Sequence, residues 1–172
     1  ARLLAQHFWP GPMTLIVKRA KHVSDLITGG QDTVGLRVPA HPCALALLRE
    51  FGHGIVAPSA NKYGRISATS AEHVQEEFGS EVRVIIDGGR CPVGIESTIV
   101  DVTGSMPKIL RLGVISEAEI LNHIGSNFVV NDSGPSRKHI RVPGSDKAHY
   151  APKTPMLLVG KSSLDGLLRE QK

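Results

Sequence analysis

Short polar side chains follow directly on an apolar run in the segment from Ile55 to Lys62. Within this segment, the Ser59 hydroxyl and neighbouring backbone amides could hold the oxygens of an anion such as a phosphate. Asn61 is better suited to fixing the turn than to contacting a ligand. An ordinary turn is the alternative interpretation, because Pro, Ser and Asn are all common turn residues.

Two guanidinium groups and a pair of hydroxyls mark three further apolar runs, at Arg37, Arg111 and Ser97-Thr98. A guanidinium can bind a carboxylate or a phosphate through two parallel hydrogen bonds. A charge inside an apolar strand is costly unless it is paired, so Arg37 predicts an ion pair, an edge position open to water or a bound anion. For Ser97 and Arg111 the alternatives are an ordinary strand hydroxyl and a solvated strand-end charge.

Other catalytic signatures lack the sequence context that they require. Ser59 and Lys62 have the Ser-x-x-Lys spacing of penicillin-recognising hydrolases, but Pro155 stands after Lys153-Thr154 where those enzymes have glycine. No P-loop motif occurs, and the glycines at 52 and 54 follow a predicted helix instead of a strand, the reverse of a dinucleotide-binding turn. The eight histidines form no His-x-x-x-His pair, so the sequence predicts no metal site.

The charge of the chain favours anionic partners. The formal net charge is +4 at pH 7, which fits a nucleotide and tRNA equally well. The apolar runs are far shorter than the roughly 20 residues of a membrane-spanning helix. The two cysteines, Cys43 and Cys91, allow no disulfide framework. These observations predict a cytoplasmic protein with no membrane partner.

The elements that would position these side chains follow from the spacing of apolar residues. Six short runs rich in Val, Ile and Leu predict strands: Thr14 to Lys18, Thr33 to Val38, Gly54 to Ala57, Val82 to Asp87, Ser97 to Val102 and Lys108 to Leu112. Helices are predicted over 42 to 51, after Ser70 as far as Gly79, and from Ser116 to Gly125. This mixture of strands and helices predicts a layered α/β domain.

The composition changes after residue 125, where Ser, Gly, Pro, Lys and Arg replace the periodic apolar residues. We predict a first domain over 1–125 and a linker over 126–152. Residues 153–172 would form the start of a small second α/β domain, with a strand over Thr154 to Gly160 and a helix over Leu164 to Arg169. One strand and one helix bury too little apolar surface to be stable alone.

Five segments combine into one pattern: Trp9-Pro10-Gly11-Pro12-Met13-Thr14, Gly35-Leu36-Arg37-Val38-Pro39, Ser59-Ala60-Asn61, Gly94 to Asp101 and Ile109 to Gly113. In this order they resemble the YrdC/Sua5 family of threonylcarbamoyl-adenylate synthases, over roughly residues 7 to 113. His149-Tyr150-Ala151-Pro152 is similar to the linker of the longer, Sua5-type members. The resemblance implies a twisted mixed sheet flanked by helices, then the linker and the small α/β domain.

The same resemblance implies a reaction. L-threonine, bicarbonate or CO2, and ATP would give threonylcarbamoyl-AMP and pyrophosphate, for the N6-threonylcarbamoyladenosine modification of tRNA. Mg²⁺ would be carried by the triphosphate, and the machinery that transfers the threonylcarbamoyl group to tRNA would be a downstream partner. In the family, strands with a phosphate-binding lysine and arginine precede the Trp-Pro-Gly-Pro segment, so the resemblance implies that this part is not included in the present sequence.

Site residues are implied position by position. ATP would be contacted by Thr33, Ser59, Ser67, Arg111 and Tyr150, the last closing over the nucleotide from the linker. L-threonine would be contacted by Arg37, through its carboxylate, and by Ala57 and Ser97. Ala57 departs from the family pattern, because many relatives have Ser or Thr there, so it offers only a backbone contact. Asn61 would fix the turn.

Two other functions remain open from the sequence. The first is an RNA-binding module in which a basic cavity holds the backbone of tRNA or double-stranded RNA; its affinity would fall steeply with salt. The second is a carbamoyl-transfer domain of hydrogenase maturation, which has a related fold. The Tyr150 linker argues against the second function.

Overall fold

The computed structural model describes residues 1–125, 129–130, 140–144, 150–152, 154–156 and 159–160, with the backbone alone at 129–130. Its helices in chain order are α1 (Arg2–Phe8), α2 (Pro42–Phe51), α3 (Ala71–Phe78) and α4 (Glu117–Ile124). Its strands are β1 (Met13–Lys18), β2 (Thr33–Leu36), β3 (Thr98–Asp101), β4 (Lys108–Arg111) and β5 (Val129–Val130). A short 3-10 helix, Gly79–Glu81, follows α3.

The strands form one mixed sheet in the order β2-β1-β3-β4-β5. β1 runs antiparallel to β2 and parallel to β3, β3 runs antiparallel to β4, and β4 runs parallel to β5. The predicted α/β class with a mixed sheet is confirmed. The register brings the beginnings of β1 and β3 together with the ends of β2 and β4. We call this edge of the sheet the site end.

One face of the sheet carries the main hydrophobic core, which α1 and α4 cover. Its buried members are Leu4, Met13, Leu15, Val100, Ile109, Ile115 and Ile120. Leu4 is the buried residue of α1 and Ile120 that of α4. The sequence did not predict α1, because a seven-residue helix is too short to display the helical period clearly.

The other three helices confirm the predicted bounds within a residue or two. α4 begins at a complete capping box, in which the Ser116 side chain accepts from the Glu119 amide and the Glu119 carboxylate accepts from the Ser116 amide. The side chain of Ser70 caps α3 by accepting from the amide of His73. α2 ends at Gly52, whose φ of 73° is the left-handed conformation that glycine adopts readily.

Two predicted strands are wrong. Residues 54–57 and 82–87 belong to no strand, and most of their apolar side chains are exposed, with Val56 at 64% and Val84 at 77% exposure. A β-rich apolar run becomes a strand only when another backbone accepts and donates its hydrogen bonds. No described residue forms such a ladder with either segment. The runs Thr33 to Val38 and Ser97 to Val102 also pair over a shorter length than predicted.

The second face of the sheet is crossed by residues 140–144, which we call the strap. Val142 is buried on Ile16 and Ile99, and Ile140 and Leu110 pack beside them. We call this side the strap face. The strap and residues 150–152 fall within the predicted linker, whose boundaries stay a prediction, as do those of the second domain. The predicted helix at 164–169 lies outside the described residues. None of the described helices is long and apolar enough to cross a membrane.

Candidate functional site

Four polar side chains meet on the strap face at the site end. Thr14 is near the beginning of β1, Ser97 directly precedes β3, Arg111 ends β4 and Arg37 follows β2. Alternation along β1 places Met13 and Leu15 in the main core, so Thr14 points to the opposite face. The register Leu15↔Leu36 continues to bring Arg37 opposite Thr14. The sheet topology thus assembles residues that are as many as 97 positions apart in the sequence.

An irregularity in the pairing of β3 and β4 turns Arg111 toward the strap face. Val100 is paired with Ile109, but Ile99 is paired with Arg111, so Leu110 is an extra residue in β4. On a regular strand, side chains two residues apart share a face, which would place Arg111 beside the buried Ile109. The extra residue shifts this alternation and aims Arg111 at the site, an effect common to β-bulges.

Ser97 is the centre of the hydrogen-bond network at the site. Its hydroxyl lies 2.8 Å from Thr14 Oγ1, and its carbonyl accepts from Arg111 Nε at 3.1 Å and Nη2 at 2.9 Å. Arg111 Nη2 also donates to Ser97 Oγ at 3.2 Å. Ser97 is only 9% exposed, so these bonds are partly shielded from water and hold the hydroxyl in one place.

The remaining nitrogen of the Arg111 guanidinium reaches the linker. Nη1 donates to the Pro143 carbonyl at 2.9 Å and to the Tyr150 hydroxyl at 3.2 Å. Gly144 lies against both side chains, since a Cβ at Gly144 would be 3.1 Å from Arg111 Cδ and 3.1 Å from Tyr150 Cε2. Arginine has five N–H donors, and Arg111 makes five contacts to protein acceptors.

Arg37 differs from Arg111 because its terminal nitrogens have no acceptor among the described residues. Its Nε donates to the Gly11 carbonyl at 2.9 Å, and the Gly11 amide donates to Val38, so the turn between α1 and β1 fixes the base of the guanidinium. The Arg37 residue is exposed overall, but partial desolvation of its guanidinium lowers its pKa, and the nearby positive charge of Arg111 lowers that pKa further. Nη1 and Nη2 remain for a ligand.

The two guanidiniums form a site of positive charge. Between described residues the structure has one ion pair, Lys62 with Glu81, so neither Arg37 nor Arg111 is neutralised by a described carboxylate. Two like charges that repel each other favour an anion between or beside them. The arrangement of two arginines and two hydroxyls can therefore hold a carboxylate or a phosphate without any metal or nucleophile.

A second group of polar side chains is formed by Asn61 and Ser67, on the loop at 61–67, and by Glu96. The Asn61 amide group donates to the carbonyls of Lys62 at 3.0 Å and Arg65 at 3.1 Å, which closes the turn. Ser67 Oγ donates to Glu96 Oε1 at 2.6 Å and lies 3.4 Å from Asn61 Oδ1. Because Glu96 directly precedes Ser97, this group adjoins the arginine site.

Two further contacts hold this loop in place. Lys62 is tied to α3 and to the 3-10 helix that follows it, because its amide donates to Glu77 at 3.3 Å and its ammonium pairs with Glu81 at 2.8 Å. The Ala151 amide donates to the Gly64 carbonyl at 2.9 Å. The loop is therefore attached both to α3 and to the chain next to Tyr150.

Three implied site residues lie apart from these groups. Thr33 is on the strap face, paired with Lys18, but it lies four residues or about 13 Å from Arg37 along β2. Ser59 is exposed and its carbonyl accepts from the Asn61 amide at 3.0 Å. Ala57 is exposed, in the segment that was wrongly predicted as a strand. These three residues are not joined to the Arg37 and Ser97 network by any described hydrogen bond.

Three residues that shape the site were not assigned a role from the sequence: Thr14, Glu96 and Thr98. Thr98 is fully buried; its hydroxyl donates to the Ile115 carbonyl at 2.7 Å and accepts from the amides of Gly113 and Ile115. A Cβ at Gly113 would lie 2.3 Å from the Glu96 carbonyl. These residues lie within the sequence motifs, but the hydrogen-bond partner of each one comes from a distant part of the chain.

Known proteins similar to this chain fall into one family. The sequence model of the Sua5/YciO/YrdC family, described as "Telomere recombination", matches residues 1–113. The threonylcarbamoyl-AMP synthase of Pyrococcus abyssi is 42% identical over 160 residues, which are 92% of this chain and 47% of the relative. That of Bacillus subtilis is 39% identical over 159 residues, 92% of this chain and 46% of the relative. The chain therefore spans about half the length of the curated relatives it matches.

Solved structures give the same result for the fold. The crystal structure of P. abyssi Sua5 complexed with L-threonine matches with a TM-score of 0.76 at 40% identity, covering 88% of this chain and 45% of that one. The crystal structure of E. coli YciO matches with a TM-score of 0.58 at 28% identity, covering 67% of this chain and 56% of that one.

Proposed function

The chain belongs to the Sua5/YciO/YrdC family, and we propose from this premise that it acts in the synthesis of threonylcarbamoyl-AMP. The substrates would be L-threonine, bicarbonate or CO2, and ATP, and pyrophosphate would be released. Support comes from the names of the similar synthases and from the Sua5 structure with bound L-threonine. The product would serve the threonylcarbamoyl modification of tRNA, which supports a cytoplasmic location.

One observation carries the proposal: Arg37 and Arg111 approach each other without a described carboxylate partner. Each substrate has an anionic group that such a site could hold, the carboxylate of L-threonine and the phosphates of ATP. We assign the carboxylate to Arg37, because Nη1 and Nη2 are directed to no described acceptor and can form a bidentate pair. Ser97 would hold a polar group of the same amino acid, and Ala57 would offer its backbone.

The nucleotide would be contacted by the remaining site residues: Thr33, Ser59, Ser67, Arg111 and Tyr150. Asn61 would act through the turn that carries Ser59. Arg111 can reach a ligand only if one of its five protein contacts is exchanged, and those to Pro143 and Tyr150 come from the linker. ATP binding would therefore be accompanied by movement of the linker at Arg111.

The reaction needs no side-chain nucleophile. The amine of L-threonine attacks the carbon of CO2 and loses a proton, which gives a carbamate. A carbamate oxygen then attacks the α-phosphorus of ATP, the bond from that phosphorus to the bridging oxygen breaks, and pyrophosphate leaves with the electron pair. Arg37 would hold the attacking molecule, and the positive charge of the site would stabilise the phosphoryl oxygens.

Mg²⁺ would enter this reaction on the triphosphate and not in a protein cage. The described residues contain no cluster of three His, Cys, Asp or Glu side chains that could hold a metal. A site lined by hydroxyls and guanidiniums is consistent with a cation that arrives on the substrate. The transfer of the threonylcarbamoyl group to tRNA would belong to a separate partner.

Isothermal titration calorimetry tests this function. The protein is titrated with ATP and Mg²⁺, with L-threonine, and with each ligand in the presence of the other. We expect saturable binding in which one ligand strengthens the binding of the other. Failure to bind ATP at any threonine concentration, together with RNA binding that weakens steeply with salt, would instead support the RNA-binding function.

A further inference from the structure

Three side-chain oxygens converge beside the arginine site, on Asn61, Ser67 and Glu96. Ser67 Oγ lies 2.6 Å from Glu96 Oε1 and 3.4 Å from Asn61 Oδ1. All three side chains are partly buried, and Glu96 forms no ion pair with a described residue. The oxygens come from two separate segments, the loop at 61–67 and the residue before Ser97, so the fold brings them together.

The cluster has more hydrogen-bond acceptors than donors. The Ser67 hydroxyl can donate one hydrogen bond, and the short distance to the Glu96 carboxylate indicates that Ser67 donates it to Glu96. The Asn61 NH2 group is turned away, toward the carbonyls of Lys62 and Arg65. What remains toward the open side are lone pairs on the Glu96 carboxylate, on Ser67 Oγ and on Asn61 Oδ1.

Such a cluster cannot hold a phosphate, because its oxygens repel an anion and offer it no N–H or O–H group. It fits a group that donates hydrogen bonds. The arginine site next to it has the opposite character, with donors and positive charge. A nucleotide has the same polarity along its length, with anionic phosphates at one end and the N–H and O–H donors of the nucleoside at the other.

We propose that Glu96 is a specificity-determining residue that, together with Ser67, selects the hydrogen-bond donors of the nucleoside part of ATP. This inference rests on the proposed function. Glu96 accepts the hydrogen bond that the Ser67 hydroxyl donates, so Ser67 Oγ is left to act as an acceptor toward a ligand. The donor is either the exocyclic amino group of the base or a ribose hydroxyl, and the two present the same chemistry to these oxygens.

The test measures the affinity of the protein for ATP, for purine riboside triphosphate, which lacks the amino group, and for 2′- and 3′-deoxy-ATP. We expect one of these analogues to bind the unaltered protein about tenfold or more weakly than ATP, since a hydrogen bond to a charged acceptor is lost. The analogue that loses affinity identifies the donor. In Glu96→Gln the amide can donate to Ser67, and the preference for ATP over that analogue should fall to about twofold or less.

Two further variants make the test specific. Ser67→Ala should reduce the same preference, whereas Glu50→Gln, which removes an exposed carboxylate on α2, should leave it unchanged. Thermal melting checks that each variant is folded. If Glu96→Gln retains the preference of the unaltered protein, the inference is wrong although the proposed function stands. Loss of affinity in Glu96→Gln only when Mg²⁺ is present would reassign the carboxylate to the metal. If the unaltered protein binds no ATP, both proposals fail.

Discussion

Arg37 and Arg111 have the same charge but differ in how many of their N–H groups have an acceptor among the described residues. Among the described residues, Arg37 finds an acceptor only for Nε, whereas all five N–H groups of Arg111 have protein acceptors. A ligand can therefore bind Arg37 without displacing anything, but it must compete with the linker for Arg111. The two arginines should respond differently to substitution.

We predict that Arg37→Ala weakens L-threonine binding roughly 10- to 100-fold, because a carboxylate loses a charged, bidentate partner. ATP binding should change much less. Calorimetry with each ligand separately measures both effects. Arg49→Ala, on the exposed side of α2, is the matched control for the loss of one positive charge. Equal losses for the two ligands would contradict the assignment of Arg37 to threonine.

For Arg111→Ala the order is reversed, and we expect ATP to be the ligand that loses affinity, by roughly tenfold. The same change removes the contacts to Pro143 and Tyr150. Amide hydrogen exchange at Ala151, next to Tyr150, should therefore become faster. Unchanged ATP affinity would leave Arg111 as a structural residue that only positions Ser97 and the linker.

At the residue scale, the sequence indicated candidate site residues but not the hydrogen-bond partners that each of them has in the fold. Arg37, Ser97 and Arg111 could be chosen from the sequence because a charge or hydroxyl in an apolar run needs an explanation. Glu96 could not, because its role depends on Ser67, 29 positions earlier in the chain. The sequence around Ser67 and Glu96 does not show that the Ser67 hydroxyl donates its hydrogen bond to Glu96.

Among the elements, β3 supports the site from its buried side. The Thr98 hydroxyl takes part in three hydrogen bonds, with Gly113 and Ile115, that tie the chain after β4 to the strand that Ser97 precedes. The Thr98 side chain faces the main core, whereas the Ser97 side chain lies beside Thr14 on the strap face. The position of Ser97 therefore depends on a residue that no ligand can reach.

We predict that Thr98→Val destabilises the protein by about 3 kcal/mol, because it leaves two amides and one carbonyl buried without a partner. Thr98→Ser keeps the hydroxyl and loses only a methyl group, which should cost about 1 kcal/mol. Denaturant unfolding of the two variants measures the difference. Equal stability of Val and Ser variants would show that the three hydrogen bonds contribute little.

The sequence predicted the helices better than the strands, and the reason is physical. A helix satisfies its backbone locally, so caps such as Ser116 with Glu119 identify it within a few residues. A strand depends on a partner from elsewhere in the chain. The runs at 54–57 and 82–87 have the composition of strands, but no described residue supplies the hydrogen bonds that would make them part of the sheet.

At the scale of the whole molecule, the strap joins three regions that are distant in sequence. The side chain of Gln31, near the start of β2, makes two hydrogen bonds to the Arg141 backbone. Its Oε1 accepts from the Arg141 amide at 2.8 Å, and its Nε2 donates to the Arg141 carbonyl at 3.2 Å. The Arg141 guanidinium also donates to the Gly29 carbonyl at 2.8 Å. Pro143 then contacts Arg111 at the site end. The loop between β1 and β2 therefore helps to set where the linker meets the site.

We predict that Gln31→Ala speeds hydrogen exchange of the Arg141 amide, because that amide loses its acceptor. The Ala151 amide, which donates to Gly64, should respond less. Mass spectrometry of peptides over 140–144 and 150–152 separates the two regions. Gln6→Ala on α1 is the control for loss of an exposed glutamine. Unchanged exchange at Arg141 would mean that the other contacts, which are the buried Val142 and the hydrogen bonds to Gly29 and Arg111, are enough to hold the strap.

The extra residue in β4 makes the length of this strand as important as its composition. The irregularity allows two consecutive side chains, Leu110 and Arg111, to lie on the strap face. Deleting Leu110 would restore regular pairing and leave Arg111 opposite Ile99 on that face, but it would remove the leucine that packs beside Val142. In an alignment of related chains, a one-residue gap between Ile109 and Arg111 would therefore mark a protein that keeps the arginine and has lost an apolar contact of the strap.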